Sequence, residues 1–354
     1  MNQKILLVFN ALVIIICTLV FIVPNAFSQV IIDHTSVDLY SQIPDYYIVQ
    51  VKKMRLNLAG ESHSGGYRIG VNLLAAQKPK FAAVTTESAP PTPYRTDALR
   101  VDRLVRNQYN KWDVGAGEDD WYTNAAGITR IKNHITYCNT NNLEIAAIGF
   151  GWCWDMTWHN SPGGTVDPVY NVRWAGSSVG GPQGDLRWGL DDDDTALTGN
   201  TVNMNTYLAA TQSYIDYCTS NGYPTKVIFT TGPIEGSSSQ GELGYQKYLK
   251  HEHIRNYVNA DASRILFDYA DILSWNNSGV QNTTSWSGHT FQIIHNDNMK
   301  DLNGGYVEDG DHIGQVGAVR LAKAIWVLMA RLAGWHPGGD SEPPQPPKNL
   351  RIVQ

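Results

Sequence analysis

Between residues 50 and 335 the sequence alternates short β-rich apolar runs with helix-length segments, a rhythm that few architectures can accommodate. Strand candidates fall at 54–59, 80–85, 144–150, 226–231 and 264–269, and helix-length segments at 125–140, 204–220, 242–258 and 314–334. Strands joined through helices close into a parallel sheet with helices on both faces. The expected fold class is therefore α/β, a doubly wound, mainly parallel five-stranded sheet flanked by helices, occupying residues 29–336. With 354 residues, 42% of them hydrophobic, the chain has enough apolar material for such a core.

Two helix-to-strand junctions repeat a local pattern. Ile135-Thr136-Tyr137-Cys138 is followed by Asn141-Asn142, and Ile215-Asp216-Tyr217-Cys218 by Asn221-Gly222, residue types that suit helix C-caps. No fixed period extends along the chain, so this is one supersecondary solution used twice. It puts Cys138 and Cys218 at matching ends of neighbouring helices, expected to lie close enough for a disulfide. One stretch, 156–200, has no periodicity and carries Trp158, Trp174, Trp188 and the run Asp191–Asp194. A loop of that length in a compact domain reads as a lid or binding wall. The acidic run is a candidate for calcium, with a solvated loop as the plainer reading.

The ends of the chain have other compositions. Lys4 precedes an apolar run over residues 5–23, and Pro24-Asn25-Ala26-Phe27-Ser28 supplies small residues after it, the layout of a signal peptide over 1–28 with a mature start near Gln29. The alternative is an uncleaved anchor; both put the domain outside the cytoplasm, in a secreted, periplasmic or cell-surface location. Removal of the leader leaves Cys138, Cys153 and Cys218, without the spacing of a zinc site. A formal charge of -6 leaves no basic stripe for phosphates, which argues against nucleic acid as a partner, and with the leader cleaved no membrane partner is expected. Residues 337–347 are rich in proline and read as a stiff linker. Residues 348–354 resemble the first strand of a fibronectin type III module, which predicts that a further module follows.

In doubly wound sheets ligands bind at the carboxyl ends of strands. The first such place reads Gly60-Glu61-Ser62-His63-Ser64-Gly65-Gly66, where a serine on a strand-to-helix turn can expose its Oγ and present its N–H to a developing oxyanion. The other reading of Ser62 is a simple N-cap, and Ser64 is the neighbouring alternative. Near the far end, residues 305–317 read GYVEDGDHIGQVG, with Asp309 three residues before His312 on one loop. That spacing lets a turn hold the carboxylate on Nδ1 and present Nε2 to a serine.

Taken together, these segments resemble the SGNH/GDSL hydrolase family. Gly60-Glu61-Ser62 is similar to its first block, and Asp309-Gly310-Asp311-His312 to its Asp-x-x-His block, followed by Gly317 and Ala322 in the closing helix. The resemblance implies a flavodoxin-like fold, an esterase activity without a cofactor or metal, and a catalytic set of Ser62, His312 and Asp309. It also implies Asp309, rather than Asp311, on the imidazole. The middle of the pattern departs: the segment from Gly149 to Asp155 has no asparagine, and the segment from Gly115 to Asp120 carries carboxylates. An ionised carboxylate donates no hydrogen bond, so the oxyanion donors are expected among backbone N–H groups of Ser62, Gly117 and Gly151.

Aromatic residues cluster near these strand ends. Trp152, Trp154 and Trp158, with Asp155, are expected to bind substrate, and Trp112 and Trp121 belong to the same set. The expected partner is a small-molecule or polysaccharide ester, most readily an acylated carbohydrate. Two rivals stay open. One is a glycoside hydrolase or lyase using Glu87, Glu118, Asp119 and Asp120. The other is a non-catalytic carbohydrate-binding protein on a degenerate scaffold.

Overall fold

The computed structural model describes residues 29–60, 62–88, 90–114, 119–152, 156, 165–176, 187–307 and 312–338. In chain order the elements are β1 (Val30–Ile32), α1 (Asp45–Val51), β2 (Arg55–Gly60), α2 (Ser64–Gln77), β3 (Ala83–Thr86) and β4 (Leu99–Asp102). A small hairpin of β5 (Val105–Arg106) and β6 (Trp112–Asp113) precedes α3 (Ala125–Thr140), β7 (Ala147–Gly151), α4 (Met204–Ser220), β8 (Lys226–Thr230) and α5 (Gly241–Asn259). β9 (Ile265–Phe267), α6 (Tyr269–Ser274), the hairpin β10 (Thr283–Trp286) and β11 (His289–Gln292), and α7 (Gln315–Leu332) complete the domain.

Why the strands read as unbroken apolar runs is visible in how their side chains divide. Leu56 and Leu58 of β2, Ala147 of β7, Ile228 of β8, and Ile265 and Phe267 of β9 join α1, α2 and α7 in one core. Their neighbours Ala59, Ile148, Phe150, Val227, Phe229 and Leu266 join α3, α4 and α5 in a second core on the opposite face. Successive side chains on a strand point to opposite faces, so a sheet covered on both sides needs apolar residues at nearly every position.

The sheet has seven strands rather than the five expected, in the order β1-β9-β8-β7-β2-β4-β3, and every neighbouring pair is parallel. All five expected strands are present. β1 is an edge of only three residues against β9, and β4 hides its strand character behind Arg100 and Asp102. Arg55 of β2 completes a buried pair with Asp102, Nε to Oδ2 at 2.7 Å and Nη2 to Oδ1 at 3.0 Å.

The twin helix endings behave as expected. After α3, Asn142 takes φ of 56° and the Leu143 N–H returns to Cys138 O; after α4, Gly222 takes φ of 68° and Tyr223 N–H returns to Cys218 O. The disulfide does not form: Cys138 and Cys218 are buried free thiols, and burial pushes both upward, Cys218 to about 11.

The described parts of 156–200 are fastened to α5. Lys250 Nζ donates to the carbonyls of Met156 and Ala175 at 2.5 and 2.6 Å and lies 4.1 Å from the Trp188 ring centre. Gln246 accepts from Ala175 N–H and donates to Arg173 O, each at 2.7 Å. The acidic run opens a short 3-10 helix: Asp194 is buried, accepts the Trp174 indole N–H at 3.1 Å, and burial pushes its carboxyl up. No described group of three or more histidine, cysteine or acidic side chains is gathered as for a metal ion. No described helix is long and apolar enough to cross a membrane.

Candidate active site

β2 ends at Gly60 and α2 begins at Ser64, so the turn carrying Ser62 stands at the carboxyl edge of the sheet. β2 is flanked by β4 on one side and β7 on the other; the chain passes from β2 to the β3 edge and back to β4 on one side, and from β7 outward through β8 and β9 on the other. In sheets of this kind the ligand crevice is expected at such a switch point. Close approach shapes the chain there: a Cβ on Gly60, whose φ is 121°, would stand 2.2 Å from Gly151 O, and a Cβ on Gly151 would stand 2.3 Å from Ser64 Cβ. Glycine at both positions lets β2, β7 and the first turn of α2 meet.

His312, 250 positions further on, directs Nε2 to Ser62 Oγ at 2.8 Å, the hydrogen bond that a base makes to its nucleophile. Its backbone is left-handed, with φ of 69°. A non-glycine residue held there carries strain that its surroundings must maintain, a condition common at functional sites. The holding element is α7, which starts at Gln315 and buries most of its circumference. α7 crosses α2 at backbone distance: a Cβ on Gly70 would stand 1.9 Å from Ala318 O. Ser62 precedes one of these helices and His312 the other, so their crossing sets the distance between the two side chains.

Gly70→Ala is accordingly expected to part the two helices. Overpacking of this kind costs about 1–3 kcal/mol of stability, and a displacement of about 1 Å between reacting groups costs ~100-fold in turnover. Turnover of a model ester and denaturant unfolding check it, and a variant with wild-type values in both would show that the crossing tolerates a methyl group.

The remaining expected site residues divide. Asp309 and Asp311, Gly117, Glu118, Trp154, Asp155 and Trp158 lie outside the described residues. Ser64 is wholly buried, and its Oγ accepts from Arg68 Nη1 at 3.0 Å, so it faces the protein and not the crevice. Gly151 is beside the serine turn, where its missing side chain admits α2. Trp152 is corrected from a substrate wall to a core residue: it packs with Phe150 and Tyr207, and its indole N–H donates to Thr230 O at 3.0 Å. Trp121 is likewise in the second core, donating to Thr211 Oγ1 at 3.0 Å. Glu87 meets Arg68 Nε at 2.5 Å and Arg103 Nε at 3.6 Å, which occupies its carboxylate with guanidinium groups. Asp119 and Asp120 begin a single turn at 119–123.

Two residues of the candidate site escaped the sequence reading. His63, next to Ser62, pairs through Nε2 with the carboxylate of Glu235, and its ring stacks on that of His312 with centres 4.7 Å apart and planes 27° apart. Burial pushes the Glu235 carboxyl up, but the charge and hydrogen bond of His63, helped by Lys247 and the Ile234 N–H, outweigh it and hold Glu235 below the ordinary carboxylate range. Glu235 follows β8 on its carboxyl side, and that position is the signal that could have found it.

No protein-family model matches the sequence, and no curated protein is similar to it.

Proposed function

We propose that this chain is a secreted serine esterase of the SGNH/GDSL type that removes an acyl group, in the first instance acetyl, from a carbohydrate. The observation that supports this best is the 2.8 Å contact of His312 Nε2 with Ser62 Oγ at the switch point of a parallel sheet. In this reading His312 Nε2 takes the proton as Ser62 Oγ attacks the ester carbonyl, giving a tetrahedral oxyanion beside the start of α2. Collapse of that intermediate expels the alkoxide, which takes the proton from His312, and leaves an acyl-serine. Water, deprotonated by the same imidazole, then releases the acid. Backbone N–H groups of the Ser62 turn, Gly117 and Gly151 are the candidate oxyanion donors, and Asp309 the residue that orients Nδ1. The carbohydrate part of the reading rests on Trp154 and Trp158, flat rings suited to sugar faces, and on the proline-rich linker that follows the domain.

The test is hydrolysis of short-chain aryl esters and acetylated polysaccharides, together with covalent labelling by a fluorophosphonate and identification of the labelled residue. Labelling of Ser62 with release of acetate supports the reading; no labelling and no ester turnover would sink it. Chelator is expected to leave turnover unchanged, because proton transfer, not Lewis acidity, generates the nucleophile. Activity lost to chelator and restored only by a transition metal would count against this chemistry.

A further inference from the structure

The His63–Glu235 pair has no part in the acyl-transfer steps above, yet it stands in contact with the base. His63 and Glu235 are each 2% exposed at the side chain. Beyond His63, the Glu235 carboxylate accepts the Ile234 N–H at 2.8 Å and the Tyr269 hydroxyl at 3.3 Å. His63 is held from behind by its backbone N–H on Trp152 O at 3.2 Å, and the Tyr269 ring meets its edge at 6.1 Å. Glu235, His63, His312 and Ser62 therefore form one continuous column along the carboxyl edge of the sheet.

Such a column is a costly way to fill space. Removing two ionisable groups from water costs several kcal/mol each, and an apolar pair of the same volume would pack as well or better. An aromatic ring at 63 would also stack on His312. What an apolar pair could not supply is a fixed charge beside the base. Resting on the esterase reading, we propose that the His63–Glu235 ion pair is a positioning unit for His312: it seats the imidazole by ring stacking and keeps it neutral, ready to accept a proton.

The sign follows from the geometry. Protonated His63 stacks directly on His312, with ring centres 4.7 Å apart, while Glu235 is engaged on the Nε2 of His63, so the adjacent positive charge opposes a second one on His312 and lowers its pKa. Around the pair, Tyr269 faces both partners from α6, Lys247 acts on Glu235 from α5, and Glu235 with Asp268 helps to push the buried Tyr67 hydroxyl on α2 upward, behind burial and Tyr207. Asp309 and Asp311 precede His312 on its own loop. Loss of the positive charge is expected to raise the pKa of His312 and move the acid limb of the pH–rate profile to higher pH.

Two variants of the full chain separate charge from shape. His63→Phe keeps a stacking ring and removes the charge; Glu235→Gln keeps the shape and removes the anion, leaving buried His63 without the carboxylate that favours its protonated form. Histidine NMR titration, with His312 assigned through His312→Gln, reads the base directly and needs no turnover. In both variants the His312 pKa is expected to rise by about one unit, the scale of a nearby like charge. The lower limb of kcat against pH should move with it, while KM changes little. A His312 pKa unchanged or lowered in the folded variants would overturn the proposal, and Glu235→Gln alone suffices if His63→Phe does not fold. Failure of the fluorophosphonate to label wild-type Ser62 is a separate outcome: it removes the esterase reading, and the catalytic purpose of the pair with it, whatever the titration gives.

Discussion

Ser62→Ala is expected to lower ester hydrolysis by ~10⁴–10⁶-fold, the loss seen when one member of a nucleophile–base unit is removed, because the residual rate then comes only from binding and oxyanion stabilisation. Folding should survive. The variant keeps Cβ and gives up the part-buried hydrogen bond between Ser62 Oγ and His312 Nε2 at 2.8 Å, a contribution of about 1 kcal/mol. Ser64→Ala is the matched control. Its Oγ is buried against Arg68 Nη1 at 3.0 Å, and the Cβ that packs under Gly151 is retained. It is expected to lose a similar amount of stability and to keep most of its turnover and its fluorophosphonate labelling. Comparable loss of turnover from both substitutions would leave Ser62 unsupported as the nucleophile.

What could be read from the sequence, and what could not, follows the range of the interactions involved. Of the five expected strands, β2, β7, β8 and β9 declared themselves because both faces are covered, which forces apolar residues in sequence, and β3, a half-buried edge, through its β-branched residues Val84, Thr85 and Thr86. α3 and α4 were legible to the residue, since Asn142 and Gly222 mark their ends with left-handed backbone. The Ser62–His312 contact was legible because each residue stands just before a helix, Ser62 before α2 and His312 before α7. β4 was not, because its charged residues are strand-compatible only when Arg55 on β2 receives Asp102. Trp152 was misassigned although the period of two was available: Ile148, Phe150 and Trp152 alternate onto one face, and all three join the second core. His63 and Glu235 were invisible for the opposite reason. Nothing local distinguishes a histidine after a serine, and only the sheet order brings the loop after β8 against the turn after β2.

Asp102→Ala is expected to be the most destabilising of these substitutions, by about 3–5 kcal/mol, because it strips the counterion from a cation that has no exit to water. Arg55 is fully buried, and its guanidinium is held by both Asp102 oxygens, Leu143 O at 2.9 Å and the Cys138 thiol at 3.4 Å. Burial alone would pull Arg55 down; the charge and hydrogen bonds of Asp102 more than compensate and raise it above its ordinary value. The same carboxylate accepts from Asn57 Nδ2 at 2.7 Å and Leu104 N–H at 3.1 Å, so its loss also leaves donors on β2 and on the strand exit without their acceptor. Arg55 opens β2, whereas Ser62 follows its far end, so molecules that remain folded should keep the Ser62–His312 contact. Denaturant unfolding should therefore show a large fall in stability, while turnover per fluorophosphonate-titrated site stays near wild type. Arg55→Met combined with Asp102→Leu is expected to recover much of the loss, because the cost lies in a buried charge left alone and not in the absence of the pair. If the double variant is as unstable as Asp102→Ala, the hydrogen bonds to Asn57 and Leu104, not the stranded guanidinium, account for the effect.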